Sequence, residues 1–164
     1  MNEQDKLKAL IHTFYSSFAR KDFKSMGECY HPDARFKDEV FLLGGKQITA
    51  MWHMLCLRGK DLVIDYDQVE VSTNTGSANW VAKYTFSATK RAVVNEIAAS
   101  FIFKDGLIYN HNDDFDFWRW STQALGFPGL ILGWSPFLKK KVQKQALDSL
   151  NAFISNHPEY QESN

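Results

Sequence analysis

This chain of 164 residues contains only two cysteines and has a formal net charge of zero. Its two cysteines, Cys29 and Cys56, form no CxxC pair and no cluster with histidine at metal-binding spacing. We therefore expect two reduced thiols in the cytoplasm, with no metal site and no cofactor. Lysine plus arginine and aspartate plus glutamate both number 19. Because nucleic-acid-binding proteins usually carry a basic excess, no nucleic-acid partner is expected.

Long apolar runs are also missing. No stretch reaches the roughly 20 apolar residues that a membrane-spanning helix needs. The first ten residues, MNEQDKLKAL, lack the apolar core of a secretory signal. Aromatic residues, in contrast, are abundant, with 13 Phe, 6 Tyr and 5 Trp. The length predicts one domain, and the aromatic content is more than a minimal core requires.

The N-terminal third shows helical periodicity. Residues 3–20 repeat apolar side chains at the spacing of an amphipathic helix, and Asp22 is placed to cap a shorter second helix. His31-Pro32-Asp33 should end that helix, followed by a short strand at 34–38 and an apolar loop at 40–43. After two glycines, a third helix is marked by apolar residues at helical spacing: Ile48, Met51, Trp52 and Leu55.

From residue 62 the period changes to two, which indicates β-strands. Strands are predicted at 62–73, 78–89 and 92–103, and the apolar phase of the first slips between Tyr66 and Val69, which indicates a bulge. An Asp-Gly turn then leads into the stretch GLIYNHNDDFDFWRW, interpreted as a final strand over 106–120. Helices followed by an antiparallel meander are typical of the α+β class.

The last predicted strand carries polar groups on both faces. Its odd positions combine His111 and Asp113 with three aromatic rings, namely Tyr109, Phe115 and Phe117. An apolar pocket with a few convergent polar groups has this composition. The alternative interpretation is a half-buried strand in which His111 and Asp113 satisfy each other.

The tail differs from the rest of the chain. Residues 125–137, LGFPGLILGWSPF, are apolar without a clean period, and Ser135-Pro136 should begin a final amphipathic helix. We divide the chain into a main domain at 1–124 and a tail at 125–164, which should pack on the same domain or on a second subunit. A membrane-surface role, suggested by Lys139-Lys140-Lys141 beside the apolar run, is the less favoured interpretation.

Three segments resemble the nuclear transport factor 2-like superfamily: LIHTFYSSFARKDFKSMGECYHPDARFKDEVF, GGKQITAMWHML and FIFKDGLIYNHNDDFDFW. Together they span roughly residues 5–120. The superfamily includes ketosteroid isomerases, SnoaL-like polyketide cyclases and limonene epoxide hydrolases. The resemblance implies a cone, in which a strongly curved, mostly antiparallel sheet wraps around three N-terminal helices and encloses a deep apolar pocket. It also implies a homodimer through the outer face of the sheet, and the extra C-terminal helix lies outside the shared pattern.

The resemblance to the isomerases places their general base at Asp38. Their two oxyanion donors fall on Phe14 and Ala99, neither of which can donate a hydrogen bond. The SnoaL-like cyclases are more similar, since they use polar groups of the last strands, here His111 and Asp113. An epoxide hydrolase would need an Asp–Arg–Asp set, and Arg91 lies at a predicted hairpin tip, so that activity is less favoured.

We therefore expect binding of a small, largely apolar or aromatic molecule, with isomerase- or cyclase-type proton transfer as the catalytic possibility. The alternative is a non-catalytic ligand-binding or protein-interaction module, and the sequence leaves open whether the protein is an enzyme. The candidate catalytic residues are Asp38, His111 and Asp113. The candidate substrate-binding residues are Phe14, Tyr15, Trp52, Trp80, Tyr84, Phe86, Ala99, Phe101 and Phe115.

Overall fold

Helices occupy both ends of the chain and strands its middle. The computed structural model describes residues 2–161. The helices are α1 (Glu3–Ala19), α2 (Phe23–Glu28), α3 (Lys46–Arg58), α4 (Phe117–Leu125), α5 (Phe127–Leu132) and α6 (Pro136–Ser155), followed by a 3-10 turn at Pro158–Tyr160. The strands are β1 (Tyr30–Lys37), β2 (Leu42–Gly44), β3 (Val63–Val71), β4 (Thr75–Phe86), β5 (Arg91–Lys104) and β6 (Leu107–Asp114).

The six strands form one sheet in the order β2-β1-β6-β5-β4-β3. Every neighbouring pair is antiparallel except β1 with β6, which is parallel. The predicted bulge is confirmed, because the pairing of β3 with β4 shifts between Asp67 and Glu70, and Gln68 there has a φ of 50°. A bulge increases the local twist of a strand and so helps to curve the sheet. The predicted α+β cone is confirmed.

The N-terminal helices pack against the inner face of the sheet. The α1 helix buries one apolar stripe, as its periodicity predicts, and begins with a capping box between Asn2 and Asp5. The core joins this stripe to side chains of α3 and the sheet, including Ile11, Phe14, Phe36, Ile48, Trp52 and Ile108. Burial of each such side chain stabilises the fold by about 1.5–3 kcal/mol.

The first strand begins earlier than the sequence indicated. It starts at Tyr30 and includes His31-Pro32-Asp33, which had been assigned to a helix break, and 34–38 is only its second half. Its pairing with β6 is interrupted between Tyr30 and Arg35. Pro32 falls within this unpaired stretch, where its missing N–H breaks no ladder hydrogen bond. The predicted loop at 40–43 instead leads into the short edge strand β2.

The last strand is shorter than predicted, which corrects the interpretation of 106–120 as one strand. It ends at Asp114, so Phe115 follows the strand and Phe117 is helical. The backbone N–H of Arg119 donates to the Asp116 carboxylate at 2.9 Å, so Asp116 caps α4. The buried positions of α4 then recur at helical spacing: Phe117, Trp120, Ser121 and Ala124.

The tail joins the domain through α6, which packs against α3 and buries Leu150 completely. The apolar segment at 125–137 does not bury its largest side chains within the chain. Phe127 is 72% exposed, Trp134 75% and Phe137 72%. Packing of this segment against a second subunit stays a prediction. Among the described residues, no helix combines the length and the apolar character needed to cross a membrane.

Candidate functional site

A cavity of about 530 Å³ lies between α3, the sheet and α6. Its volume is in the usual range of small-molecule sites. The walls are largely apolar and include the predicted residues Trp52, Trp80, Tyr84, Phe86 and Phe115. Two carboxylates, Asp38 and Asp113, also line it. The cavity therefore combines an aromatic surface with two groups that can take up or release a proton.

A buried chain of hydrogen bonds leads to one of these carboxylates. Trp52 Nε1 donates to the Tyr30 hydroxyl at 3.1 Å, and that oxygen lies 2.6 Å from His111 Nδ1. On the other side of the ring, His111 Nε2 lies 3.0 Å from Asp113 Oδ1. Trp80 Nε1 donates to the same oxygen at 3.3 Å. These hydrogen bonds thus connect α3, β1 and β4 to β6.

These hydrogen bonds also assign the tautomer of His111. An indole N–H can only donate, so the Tyr30 hydroxyl accepts from Trp52 and is free to donate its own proton to His111 Nδ1. His111 Nε2 then carries the ring proton and donates it to Asp113. Oδ1 of Asp113 accepts two hydrogen bonds, whereas Oδ2 makes none with residues 2–161. Oδ2 is the Asp113 oxygen left for a ligand.

Asp38 is held at the end of β1 by a tight turn. The backbone N–H groups of Val40 and Phe41 donate to its Oδ1 at 2.7 and 2.6 Å. Burial raises the pKa of Asp38 to about 6, with the negative charges of Asp113 and Glu39 adding to the effect and the two N–H donors opposing it. A carboxylate with such a pKa can accept a proton near neutral pH and release it again.

Tyr15 lies fully buried close to this network. Its hydroxyl has no hydrogen-bond partner within the described part of the chain. Burial raises the pKa of Tyr15 well above its usual value, with the negative charge of Asp113 adding to the effect. The hydroxyl therefore stays protonated, and a hydrogen bond to a partner that approaches it would stabilise it.

Comparison with known proteins assigns the family. A profile of the SnoaL-like domain matches residues 11–111, which is more than half of the chain. The chain belongs to the SnoaL-like family. The predicted resemblance is thereby confirmed, and no curated protein matches the sequence.

Solved structures show the same fold in proteins of low identity. TsrD from Streptomyces laurentii is 18% identical, with 77% of this chain and 100% of that chain covered at a TM-score of 0.65. An LEH-like epoxide hydrolase of M. tuberculosis is 14% identical, with 80% and 96% covered at 0.62. A protein of ketosteroid isomerase-like fold from Catenulispora acidiphila, in complex with trimethylamine, is 12% identical, with 77% and 97% covered at 0.64. At these identities the likeness concerns the fold alone.

The SnoaL-like chain places its predicted site residues in two layers. Asp38 and Asp113 reach the cavity, as do the five predicted aromatic residues named above. His111 is 1% exposed and lies behind the wall, where it touches the site through Asp113. The other predicted substrate-binding residues are also buried in the core behind the lining: Phe14, Tyr15, Ala99 and Phe101. Ala99 pairs directly with Asp113 across β5 and β6.

Several site residues were not found from the sequence. Tyr30 was not among the candidates, although it begins β1 and its hydroxyl bonds His111. Trp120 lines the cavity from α4, and its spacing from Phe117 and Ala124 was a usable helical signal. It also donates from Nε1 to the Tyr84 hydroxyl at 2.8 Å.

The C-terminal helix supplies one wall of the SnoaL-like cavity. Its lining residues are Val142, Gln145, Ala146 and Ser149, all beyond the segment that the family profile matches. Two contacts tie this wall to the loop after Asp38: Lys139 pairs with the Glu39 carboxylate, and Gln143 Nε2 donates to the Glu39 carbonyl at 3.0 Å. Arg58 also donates to the Ser149 hydroxyl at 2.6 Å. The tail therefore takes part in the site.

Proposed function

We propose that this protein binds a small, largely apolar or aromatic carbonyl compound in the cavity and catalyses proton transfer at carbon, as an isomerase or cyclase does. One observation carries the proposal: two carboxylates, Asp38 and Asp113, share an aromatic cavity, and burial raises the pKa of one of them to about 6. An ordinary apolar core has no use for such a pair, because burying a charged group without full pairing costs free energy.

Asp38 is the proposed base. With a pKa of about 6, about nine-tenths of the carboxyl is ionised at pH 7. Its Oδ1 is occupied by the two backbone donors, so Oδ2 would take a proton from a carbon next to the ligand's carbonyl. The electron pair of that C–H bond moves into an enolate. Return of the proton to another carbon gives an isomer. Alternatively, the enolate carbon attacks a second carbonyl and closes a ring, the C=O π electrons move onto that oxygen, and protonated Asp38 returns its proton to the alkoxide.

Tyr84 is the proposed donor to the enolate oxygen. The Trp120 indole can only donate, so the Tyr84 hydroxyl accepts that bond and keeps its own proton free. Burial raises the pKa of Tyr84, which keeps this proton on the oxygen at neutral pH. A hydroxyl placed in an apolar cavity stabilises negative charge more strongly than it would in water. This role fills the place of the oxyanion donors that the isomerase comparison lacked at Phe14 and Ala99.

His111 is proposed to position Asp113 rather than to touch the ligand. Its Nε2–H fixes Asp113 Oδ1, so Asp113 Oδ2 keeps one orientation toward the cavity. Asp113 carries negative charge near Asp38 and contributes to the raised pKa of that residue. Asp113 thus adds to the effect of burial on the proton affinity of the base.

Exchange of carbon-bound hydrogen for deuterium tests the proposal. A panel of enolisable aryl ketones and small polyketide mimics would be incubated with protein in D2O and followed by NMR. We expect Asp38→Asn to slow exchange by about 10²–10⁴, the usual contribution of a general base. Asp33→Asn, an exposed residue of β1, is the matched control and should exchange at the wild-type rate. Equal rates in wild type and Asp38→Asn would overturn the assignment of the base.

A binding protein without catalysis is the second candidate. The observation that favours it is the withdrawal of His111 behind the wall, which leaves the cavity lined mostly by apolar side chains. Saturable binding of an aromatic ketone, measured by quenching of tryptophan fluorescence, with no deuterium exchange in any form of the protein, would select this candidate.

The homodimer that the resemblance implies also stays a prediction. The exposed side chains Phe127, Trp134 and Phe137 are the apolar surface that a second copy could cover. Light scattering after size-exclusion chromatography measures the mass directly. A dimer that becomes a monomer in the double variant Trp134→Ser, Phe137→Ser would place the interface there, and a monomeric wild type would exclude a stable homodimer.

A further inference from the structure

A second cluster of ligand-forming side chains lies away from the cavity. It joins His53 of α3 to His157 and Glu159, which follow α6. One nitrogen or oxygen atom of each residue lies within 4.8 Å of those of the other two. None of the three residues lines the cavity. The two histidines and the carboxylate come together only because the C-terminal turn folds back onto α3.

Both imidazole rings are already oriented by hydrogen bonds. His157 Nδ1 lies 2.8 Å from the carbonyl oxygen of Phe153, which can only accept, so the ring proton is on Nδ1 and Nε2 keeps a free electron pair. His53 Nδ1 lies 3.0 Å from the Tyr160 hydroxyl. Metal-binding histidines usually donate their second ring N–H to a carbonyl or another acceptor in this way.

Packing restricts the same rings further. His53 stacks on Phe23 with ring centres 3.6 Å apart, and His157 stacks on Phe153 at 3.9 Å. Rings that are fixed before binding lose little freedom when a metal arrives. His53 is only 8% exposed, whereas Glu159 is at the surface, so an ion could enter from solvent and keep water ligands.

We propose that His53, His157 and Glu159 bind a divalent transition metal of the Zn²⁺ class and that this ion fastens the C-terminal turn to α3. Two imidazoles and one carboxylate are ligands that Zn²⁺ accepts, with remaining positions filled by water. The carboxylate also offsets part of the charge of the ion. The ion would hold the end of α6, the helix that forms one wall of the cavity.

Titration of metal-free protein with Zn²⁺ tests the site. Competition with a chromophoric chelator should show one tight ion per wild-type chain. His157→Ala and Glu159→Gln should each weaken binding by at least about tenfold, since changes even to the partners of metal ligands cost 10–100-fold. His31→Ala is the matched control, because His31 also lies near two carboxylates, those of Asp33 and Asp105, but outside the cluster. Affinity that is unchanged in both ligand variants, or the absence of stoichiometric binding, would overturn the proposal.

Amide hydrogen exchange tests the fastening separately. Zn²⁺ should slow exchange over residues 156–161 in wild type and raise its melting temperature, and neither effect should occur in Glu159→Gln. Glu159 is exposed, so this variant should fold normally and keeps the readout clear of misfolding. Tight binding with unchanged exchange at 156–161 would refute the fastening role. Activity of the cavity plays no part in either assay, so failure here and failure of the proposed catalysis are distinguishable.

Discussion

Asp38 should lower the stability of the protein at neutral pH, and removing its charge should restore that stability. Its pKa is about 6 in the folded protein against an ordinary value of 3.8. The folded state therefore binds a proton more tightly than the unfolded state does. Its contribution to stability is present at pH values below the ordinary pKa and is lost as the pH rises through about 6. A shift of about two units corresponds to about 3 kcal/mol.

The variant Asp38→Asn mimics the protonated form at every pH. Its side-chain oxygen can still accept from Val40 and Phe41, so the turn should persist. We expect the variant to be more stable than wild type by about 1–3 kcal/mol near pH 8 and nearly equal to it near pH 3. Urea unfolding at both pH values measures the difference, with Asp33→Asn as the exposed control. A difference between variant and wild type that does not change with pH would refute the raised pKa and with it the proposed base.

Four further outcomes follow from contacts around the cavity. His111→Ala should destabilise the protein by at least about 1–3 kcal/mol, because it leaves Tyr30 and Asp113 each without one hydrogen-bond partner. Urea unfolding measures this loss, and a smaller loss would contradict the buried hydrogen bonds of His111. Tyr15→Phe should leave the free energy of unfolding unchanged or raise it by up to about 1–3 kcal/mol, since it removes a hydroxyl without a partner, whereas a clear loss of stability would show that the hydroxyl is paired. Tyr84→Phe should reduce kcat/KM for deuterium exchange by about 10²–10³ if it donates to the enolate, with Phe86→Leu as the control for a change of wall shape. Truncation after Gln123 should lower the melting temperature, since it deletes α6 and the buried Leu150, and an equally stable truncated protein would show that the tail adds nothing to the fold.

Most of the fold could be predicted from the sequence, because the apolar residues of its helices and strands recur with clear periods. Apolar spacing predicted α1 and α3, and the phase slip after Tyr66 predicted the bulge in β3. The last strand was extended too far because alternation of aromatic and acidic residues continued past Asp114. The cap at Asp116 and the helical spacing from Phe117 to Ala124 were the signals that would have ended it.

The candidate site could be predicted only in part, because the period of a strand shows which face a residue lies on and not how deeply it is buried. His111 and Asp113 do share a face of β6, yet Asp113 borders the cavity and His111 lies in the core. The wall formed by α6 and the partnership of Tyr30 with His111 depend on tertiary packing between distant parts of the chain. The same holds for the cluster of His53, His157 and Glu159, whose members have no metal-binding spacing in sequence.

The pH dependence of kcat/KM for deuterium exchange tests the central claim most directly. If Asp38 is the base, kcat/KM should rise about tenfold per pH unit below about pH 6 and level off above it. The Asp38→Asn variant should lose this inflection together with most of the rate, while Asp33→Asn keeps both. A wild-type profile that is flat through pH 6, or the same inflection in Asp38→Asn, would contradict the account.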